Sequence, residues 1–303
     1  MTAKVMRFIL ACELGFYLLL GYLLMRYADA PLACVIGLAL LLALAGRAFF
    51  IAVTLLFARR YATPTPPEMR LGWASALGMA VAEYFAFIAL FSLLIPFASR
   101  HVPLQADARK SPYLPVLLIH GYQCNRAMWW WMRKRLLRAG FQVATLDMEP
   151  MFADIDDFAL QVAQSVEALC AATGADRIAL VGHSMGGLVA RAYLRRYGKA
   201  RVAKLITLGS PHHGSELAHL AMGINGAQMR PGSAWLTALN TPGAVPLPEN
   251  SVAIYSYHDN YVMPQDSARL EGARNVPLAG IGHLAMVFSG EIECLLIAEL
   301  KKA

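Results

Sequence analysis

Three long apolar stretches before residue 100 limit what this chain can fold into more than any other feature of its sequence. They cover about residues 5–25, 32–57 and 73–97. A helix needs about 20 apolar residues to cross a hydrocarbon core of about 30 Å, and each stretch is long enough. The segments between them carry charges and prolines, and proline ends helices because it lacks the backbone N–H. The sequence therefore predicts three transmembrane helices.

The composition divides the chain into two parts. Of the 303 residues, 57% are hydrophobic and 16% are charged, whereas soluble chains have about 45–50% apolar and about 25% charged residues. The apolar excess lies before about residue 100, and the rest has the composition of an ordinary soluble domain. We predict a membrane region over residues 1–110 and one globular domain over residues 111–303.

The formal charge of +7 indicates an anionic partner, either nucleic acid or a membrane surface. The sequence contains no zinc-ligand spacing, RNA-binding signature or long Lys/Arg tract. We therefore expect the partner to be the lipid bilayer and expect no nucleic acid. The sequence does not indicate a protein partner.

Lysines and arginines near the ends of the spans predict the orientation, because cytoplasmic flanks carry more of them. Five lie on one side: Lys4, Arg7, Arg59, Arg60 and Arg70. Four lie on the other: Arg26, Arg100, Arg109 and Lys110. This predicts a cytoplasmic N-terminus and a globular domain outside, on the periplasmic side of the inner (plasma) membrane in a Gram-negative cell. If the first stretch is a cleaved signal peptide ending near Ala30, the domain still lies outside.

Glu13, Arg47 and Glu83 lie within the apolar stretches, where charged groups are costly. One interpretation is a polar site that gates the entry of a substrate. The other, which we favour, is structural: an Arg–Glu pair joins two helices, or Arg47 extends to the membrane interface.

Short apolar runs alternate with helical segments from residue 112 onward. The predicted strands cover residues 115–120, 141–147, 177–182, 202–208, 252–257 and 275–279. The predicted helices cover residues 128–139, 155–173, 186–197 and about 284–301. Continuous apolar strands that alternate with helices are typical of a parallel sheet covered on both faces, so we predict an α/β fold.

A G-x-S-x-G motif, Gly182-His183-Ser184-Met185-Gly186, lies between the third predicted strand and the helix after it. Small residues are needed around the serine because the strand turns sharply into the helix and leaves the hydroxyl exposed. Backbone N–H groups at the start of the helix then face negative charge that develops on a substrate. This context predicts Ser184 as a nucleophile. The alternative is a serine in an ordinary turn.

A serine hydroxyl needs a base to take its proton, and with this motif the chain order is serine, acid, histidine. His283 follows the last predicted strand in a glycine-rich loop, and we predict that it is the base. Asp259 follows the penultimate strand and is predicted to orient His283 and to stabilise its cation. Asp266 and Asp147 are the competing acids, and a helix-capping histidine is the structural alternative for His283.

The charge that develops on an attacked carbonyl oxygen needs two N–H donors. One is expected from Met185, directly after the nucleophile. The other is expected from the loop after the first strand, where the N–H of Tyr122 is favoured over that of Gln123.

Four segments together resemble the bacterial lipase and esterase branch of the α/β-hydrolases. They are residues 118–122, 181–187, 208–215 and 259–264, the last of which precedes His283. The similarity covers about residues 115–295, and its most specific part is Gly209-Ser210-Pro211-His212-His213-Gly214-Ser215. The resemblance implies an α/β-hydrolase fold and hydrolysis of carboxylic esters through an acyl-enzyme. The three predicted spans depart from the pattern of secreted lipases.

We therefore predict a membrane-anchored serine hydrolase that cleaves lipid or acyl esters, with residues 111–303 as its catalytic domain. An acyltransferase or thioesterase with the same triad is the alternative enzyme, and a non-catalytic membrane adaptor is the alternative of another class. Residues 216–248 lie where such enzymes carry a lid over the acyl pocket, although an irregular connection is an equal interpretation. The sequence has no clear calcium-site signature, and we expect no metal and no cofactor.

Overall fold

A parallel six-stranded sheet forms the centre of residues 111–302, which we call the sheet region. The computed structural model describes residues 1–98 and 111–302. The strand order is β2-β1-β3-β4-β5-β6, and every neighbouring pair is parallel. The strands are β1 Val116–Ile119, β2 Val143–Thr145, β3 Ile178–His183, β4 Val202–Leu208, β5 Val252–Ser256 and β6 Arg274–Leu278. The predicted α/β fold with a parallel sheet is confirmed.

Each face of the sheet packs against its own hydrophobic cluster, because successive side chains of a strand point to opposite faces. From β1, Leu117 faces the cluster that contains Phe158, whereas Leu118 faces the cluster that contains Trp129. The helices of the sheet region are α4 Trp130–Arg138, α5 Ile155–Thr173, α6 Met185–Tyr197, α7 Gly223–Gln228, α8 Ala234–Leu239 and α9 Gly290–Leu300. The fully buried strands explain the continuous apolar runs in the sequence.

The last predicted helix is wrong at its N-terminal end. Residues Ala285–Phe288 form a 3-10 turn, and α9 begins at Gly290. The side chain of Ser289 accepts a hydrogen bond from the N–H of Ile292 at 3.3 Å. This N-cap starts a new helix six residues later than the apolar pattern indicated.

The three apolar stretches form the helices α1, Thr2–Tyr27; α2, Leu32–Arg60; and α3, Trp73–Phe97. All three have the length and hydropathy to cross a membrane, as the sequence predicts. Residues Ile88–Leu94 of α3 form a π-helical segment. Such segments often occur at functional sites.

The third helix packs along the sheet region. Leu90 and Ile95 are fully buried and belong to the same hydrophobic cluster as Leu118 of β1. The carbonyl oxygen of Ile95 accepts a hydrogen bond from the Nδ2 of Asn125 at 2.9 Å. At the other end, a Cβ on Gly280 of the sheet region would lie 3.5 Å from the side chain of Leu71, two residues before α3. Both ends of α3 therefore lie beside the sheet region.

Both open ends of the hairpin formed by α1 and α2 also contact the sheet region. The N-terminal ammonium group of Met1 pairs with Glu149, and Thr63, which follows α2, donates to the carboxylate of Asp266 at 2.9 Å. Met1 and the sheet region thus lie on the same side of the hairpin, whereas the charge count placed them on opposite faces of a membrane. The count treated each apolar stretch as a separate crossing, and the sequence alone does not reveal that α3 packs along the sheet region. Arg100, Arg109 and Lys110, used in that count, lie outside the described residues.

An ion pair joins the three N-terminal helices. The two terminal nitrogens of Arg47 on α2 lie 2.7 and 2.8 Å from the carboxylate oxygens of Glu13 on α1. The Nε of Arg47 donates to the hydroxyl of Ser92 on α3 at 3.1 Å. The Arg–Glu pair of the structural interpretation is therefore the pair of Arg47 and Glu13. Glu83 contacts the sheet region instead.

Candidate active site

Ser184 occupies a sharp turn between β3 and α6. Its backbone has φ +56° and ψ −129°, a conformation that a residue with a side chain adopts only when its surroundings hold it there. Its N–H donates to the carbonyl oxygen of Leu208 at 2.9 Å. Strand β3 and helix α6 thus fix the serine at the carboxyl edge of the sheet, where parallel sheets place their ligand sites.

The glycines of the motif are required by close backbone approaches. A Cβ on Gly182 would lie 2.5 Å from the backbone nitrogen of Gly187. A Cβ on Gly186 would collide with the carbonyl oxygen of Ile119 in β1. Gly121 is packed so closely that a Cβ there would lie 2.9 Å from the Cβ of Ser184. These approaches bring the loop after β1 directly against the nucleophile.

The structure brings Asp259 and His283 together. The Nδ1 of His283 lies 2.7 Å from one carboxylate oxygen of Asp259, and both residues are buried. The other carboxylate oxygen accepts hydrogen bonds from the N–H groups of Tyr261 and Val262, each at 2.8 Å. The carboxylate is therefore held in one orientation.

The two competing aspartates are engaged elsewhere. Asp147 accepts a hydrogen bond from the Nε of Arg126 at 2.8 Å, and Asp266 accepts one from the hydroxyl of Thr63 at 2.9 Å. Of the three candidate acids, Asp259 is the one bonded to His283.

The environment of His283 favours a stronger base than an ordinary histidine. Burial by itself favours the neutral ring and lowers the pKa of His283. The charge of Asp259 and its hydrogen bond to the ring outweigh burial, and the pKa of His283 is raised above its usual value. Asp259 therefore stabilises the imidazolium that forms when His283 takes a proton.

Residues of the N-terminal helices hold the His283 loop. Glu83 on α3 is fully buried, and its two carboxylate oxygens accept hydrogen bonds from the N–H groups of Leu284 and Ala285, each at 2.9 Å. A Cβ on Gly282 would lie 2.5 Å from the same carboxylate. Sequence reasoning noted Glu83 as a costly charge in an apolar helix but did not connect it with this loop.

Asn260 connects α2 to the same loop. Its side-chain oxygen accepts from the N–H of His283 at 3.1 Å, and its Nδ2 donates to the hydroxyl of Thr54 at 2.8 Å. On the other side, the Nε2 of His183 donates to the carbonyl oxygen of His283 at 3.0 Å. Burial and the neighbouring His283 keep the pKa of His183 well below its usual value, so this ring stays neutral. The sequence analysis did not identify Asn260, although it adjoins Asp259.

The predicted oxyanion donors lie beside the nucleophile. Met185 is the first residue of α6, where N–H groups lack intrahelical acceptors. Tyr122 follows Gly121, which contacts Ser184. Within residues 1–98 and 111–302, the N–H groups of Tyr122 and Met185 have no hydrogen-bond acceptor, so both are free to bind a substrate oxygen. The alternative donor, Gln123, has φ +55°. The roles of Tyr122 and Met185 stay predictions.

Two cavities meet at Ser184. The larger, of about 450 Å³, lies between the N-terminal helices and the active-site loops, and we call it the bundle cavity. The smaller, of about 290 Å³, lies between α2 and residues 211–229, and we call it the outer cavity. Ser184, Tyr122 and Phe50 line both cavities, whereas His283 lines the bundle cavity.

The predicted lid segment, residues 216–248, contains a 3-10 turn, α7 and α8. Its first part lines the outer cavity, and the hydroxyl of Tyr122 both donates to and accepts from the backbone of Met222, at 2.8 and 2.9 Å. Whether it moves as a lid stays a prediction. Among the described residues, no group of three or more His, Cys, Asp or Glu side chains is arranged to hold a metal ion.

Comparison with known proteins identifies relatives of the sheet region. Residues 115–225 match a family model described as alpha/beta hydrolase fold. A triacylglycerol lipase from Burkholderia plantarii is 30% identical over 132 residues, which are 41% of this chain and 37% of the relative. A triacylglycerol lipase from Pseudarthrobacter phenanthrenivorans is 31% identical over 121 residues, which are 37% of this chain and 38% of the relative. The chain thus spans less than two fifths of the length of these curated relatives.

Solved structures show the same arrangement of strands and helices. Aspergillus fumigatus lipase B matches with a TM-score of 0.60 and 21% identity, over 67% of this chain and 56% of that one. A Bacillus licheniformis lipase in its mature form matches with a TM-score of 0.56 and 19% identity, over 67% of this chain and 96% of that one. At these identities the likeness concerns the fold.

Proposed function

We propose that this protein, which has the α/β-hydrolase fold and resembles lipases and esterases of that fold, is a membrane-anchored serine hydrolase of carboxylic esters. One observation carries the proposal: His283, which is paired with Asp259, and the strained Ser184 turn border the same cavity. A base with a raised pKa, a serine hydroxyl that lines a cavity and two free N–H groups at one site are what acyl transfer to serine requires.

In the first half of the proposed reaction, Ser184 Oγ attacks the ester carbonyl carbon. His283 Nε2 takes the hydroxyl proton, and Asp259 holds the ring in place through Nδ1 and stabilises its positive charge. The carbonyl oxygen becomes negative and accepts hydrogen bonds from the N–H groups of Tyr122 and Met185. The bond from the carbonyl carbon to the alcohol oxygen then breaks, and His283 gives its proton to the departing alcohol.

In the second half, water replaces the alcohol. His283 takes a proton from the water, whose oxygen attacks the acyl carbon, and then returns the proton to Ser184 Oγ as that bond breaks. The products are a carboxylic acid and a free enzyme. An alcohol acceptor in place of water would transfer the acyl group, so adding competing alcohols to the assay separates hydrolysis from acyl transfer.

The decisive experiment compares the detergent-purified protein with its Ser184→Ala variant on p-nitrophenyl esters. We expect the wild type to hydrolyse these esters and to react with a fluorophosphonate probe, and the variant to do neither. Absence of both activities in the wild type would overturn the proposal. Probe labelling without ester hydrolysis would leave an activated serine but reject carboxylic esters of this kind as substrates.

We infer that the N-terminal helices anchor the protein in a membrane. Large apolar side chains on all three helices face outward, among them Phe16 (58% exposed), Phe49 (71%) and Trp73 (84%). An apolar surface of this extent is stable in lipid and not in water. We therefore expect the protein to sediment with membranes and to be released by detergent but not by high salt or carbonate.

The contact between Met1 and Glu149 supports one orientation. With Met1 beside the sheet region, Lys4, Arg7, Arg59, Arg60 and Arg70 all lie on that side, and Arg26 lies at the far end of the hairpin. The excess of positive charge marks the cytoplasmic side. We therefore propose an inner-membrane protein whose catalytic part faces the cytoplasm, in place of the periplasmic position expected from the sequence.

A further inference from the structure

We propose that the two cavities are the two arms of one lipid-ester site, with the acyl chain in the outer cavity and a chain-bearing alcohol part in the bundle cavity. This rests on the proposed function, because it takes Ser184 as the atom that joins the arms. The substrate class that follows is an ester lipid whose alcohol part carries an apolar chain of its own, as in a diacylglycerol. The membrane helices thus form half of the substrate site.

The position of His283 assigns the arms. His283 must give a proton to the departing alcohol, so the alcohol oxygen has to lie beside its ring. His283 and Leu284 line the bundle cavity, whereas the outer cavity reaches Ser184 from the side of Pro211 and Ser215. Tyr122 lines both cavities, as expected for a donor that binds the carbonyl oxygen between the arms.

The lining of the bundle cavity suits an amphipathic alcohol part. Ten of its nineteen lining residues come from α1, α2 and α3. Most of these ten are apolar, including the rings of Phe50, Phe87 and Phe91, which stack in sequence with centroid distances of 5.1 and 5.0 Å. The same ten residues include the ion pair of Glu13 and Arg47, which offers hydrogen-bonding groups to a glycerol hydroxyl or ester.

The outer cavity is lined mainly by apolar side chains. Val53 and Phe57 of α2 form one wall, and Leu217 and Met229 form the opposite wall. At its rim, Leu220 and Met222 are 68% and 62% exposed. Exposed apolar side chains beside an outward-facing apolar helix allow an acyl chain to pass from the bilayer without crossing water.

A substitution at Gly46 can fill the bundle cavity without filling the outer cavity. It lines that cavity, and a Cβ placed on it meets no atom within 4 Å, so Gly46→Leu adds its side chain to the empty space without a backbone clash. Gly37→Leu is the matched control, because Gly37 lies on the same helix, is also free of neighbours within 4 Å, and faces outward. Val53→Phe narrows the outer cavity, and Leu56→Phe on the outward face of α2 is its control.

Three substrates separate the arms: p-nitrophenyl acetate has no long chain for either arm, p-nitrophenyl palmitate has one for the acyl arm, and dioleoylglycerol in mixed micelles has one for each arm. We expect Gly46→Leu to lower the ratio of kcat/KM for dioleoylglycerol to that for palmitate at least tenfold, and Gly46→Val to lower it less. We expect Val53→Phe to lower the ratio for palmitate to acetate at least tenfold. The two control variants should change neither ratio more than twofold.

The outcomes are distinguishable. The assignment of arms is overturned if Gly46→Leu lowers the palmitate-to-acetate ratio of kcat/KM instead. It is also overturned if both kcat/KM ratios stay within twofold of the wild-type values while fluorophosphonate labelling shows a folded site. If Gly46→Leu does not label, Gly46→Val decides by the same ratios. If the wild type hydrolyses none of the three esters, the proposed function itself fails.

Discussion

Replacing Glu83 by alanine is expected to disable the active site, although Glu83 lies on α3 and is not one of the three residues of the proposed triad. The substitution leaves the buried N–H group of Leu284 and the partly buried N–H group of Ala285 without their acceptor. A buried N–H without an acceptor costs about 1–3 kcal/mol, so the loss at Leu284 alone destabilises the ordered His283 loop by about that amount. Because about 1.4 kcal/mol corresponds to a factor of ten, we expect kcat/KM to fall at least about tenfold.

The assay is kcat/KM for p-nitrophenyl acetate together with the rate of fluorophosphonate labelling of Ser184. Glu83→Gln keeps one carboxamide oxygen as an acceptor and should restore part of the lost rate. Glu68→Ala, at an exposed acid in the connection before α3, is the matched control and should leave both rates unchanged. If Glu83→Ala keeps its kcat/KM within twofold of the wild-type value, the reasoning that α3 positions His283 is refuted.

Three further predictions follow from the same geometry. Asp259→Asn removes the charge that raises the pKa of His283. The acid limb of the kcat/KM profile, where His283 gains a proton, should therefore move to lower pH, and kcat should fall by about 10⁴-fold. A limb that moves to higher pH would contradict this prediction. Gly186→Ala places a methyl group against the backbone of Ile119 and should destabilise the protein by about 1–3 kcal/mol, which would be measured as a lower Tm. An unchanged Tm would show that the turn at Ser184 is not packed tightly against β1. Both ends of the chain are expected in the cytoplasm. Fluorescent-protein fusions at Met1 and at the C-terminus should therefore both fluoresce, and alkaline phosphatase fusions at the same two ends should both be inactive. Opposite results at the two ends would reject the hairpin orientation.

The local pattern was sufficient to predict the sheet and the sharp turn that holds Ser184. The strands are continuous apolar runs because both faces of the sheet are covered, and the glycines around Ser184 are present because backbone atoms approach closely there. His283 and Asp259 were predicted from chain order after two strands, and the structure places them 2.7 Å apart. Such features depend on neighbours along the chain or on the order of strands.

The contacts between the N-terminal helices and the His283 loop were not predictable in the same way. Glu83 and Leu284, like Thr54 and Asn260, are about 200 residues apart in the chain. No periodicity links such positions, and an acid in an apolar helix indicates only that a partner exists. The proposed orientation differs from the one expected from the charge count for the same reason, because hydropathy identifies apolar helices but does not show which of them pack against a folded domain.

The hydrogen bonds that Glu83 and Thr54 accept have a consequence for the biogenesis of the protein. The ribosome makes α1, α2 and α3 first and the His283 loop nearly last, so the acceptors on the helices are made before the donors of the loop. A nascent or proteolytically released sheet region would carry Ser184 but lack the support that orders its base. If the proposed function holds, the N-terminal helices couple the hydrolase activity to their own insertion into a bilayer.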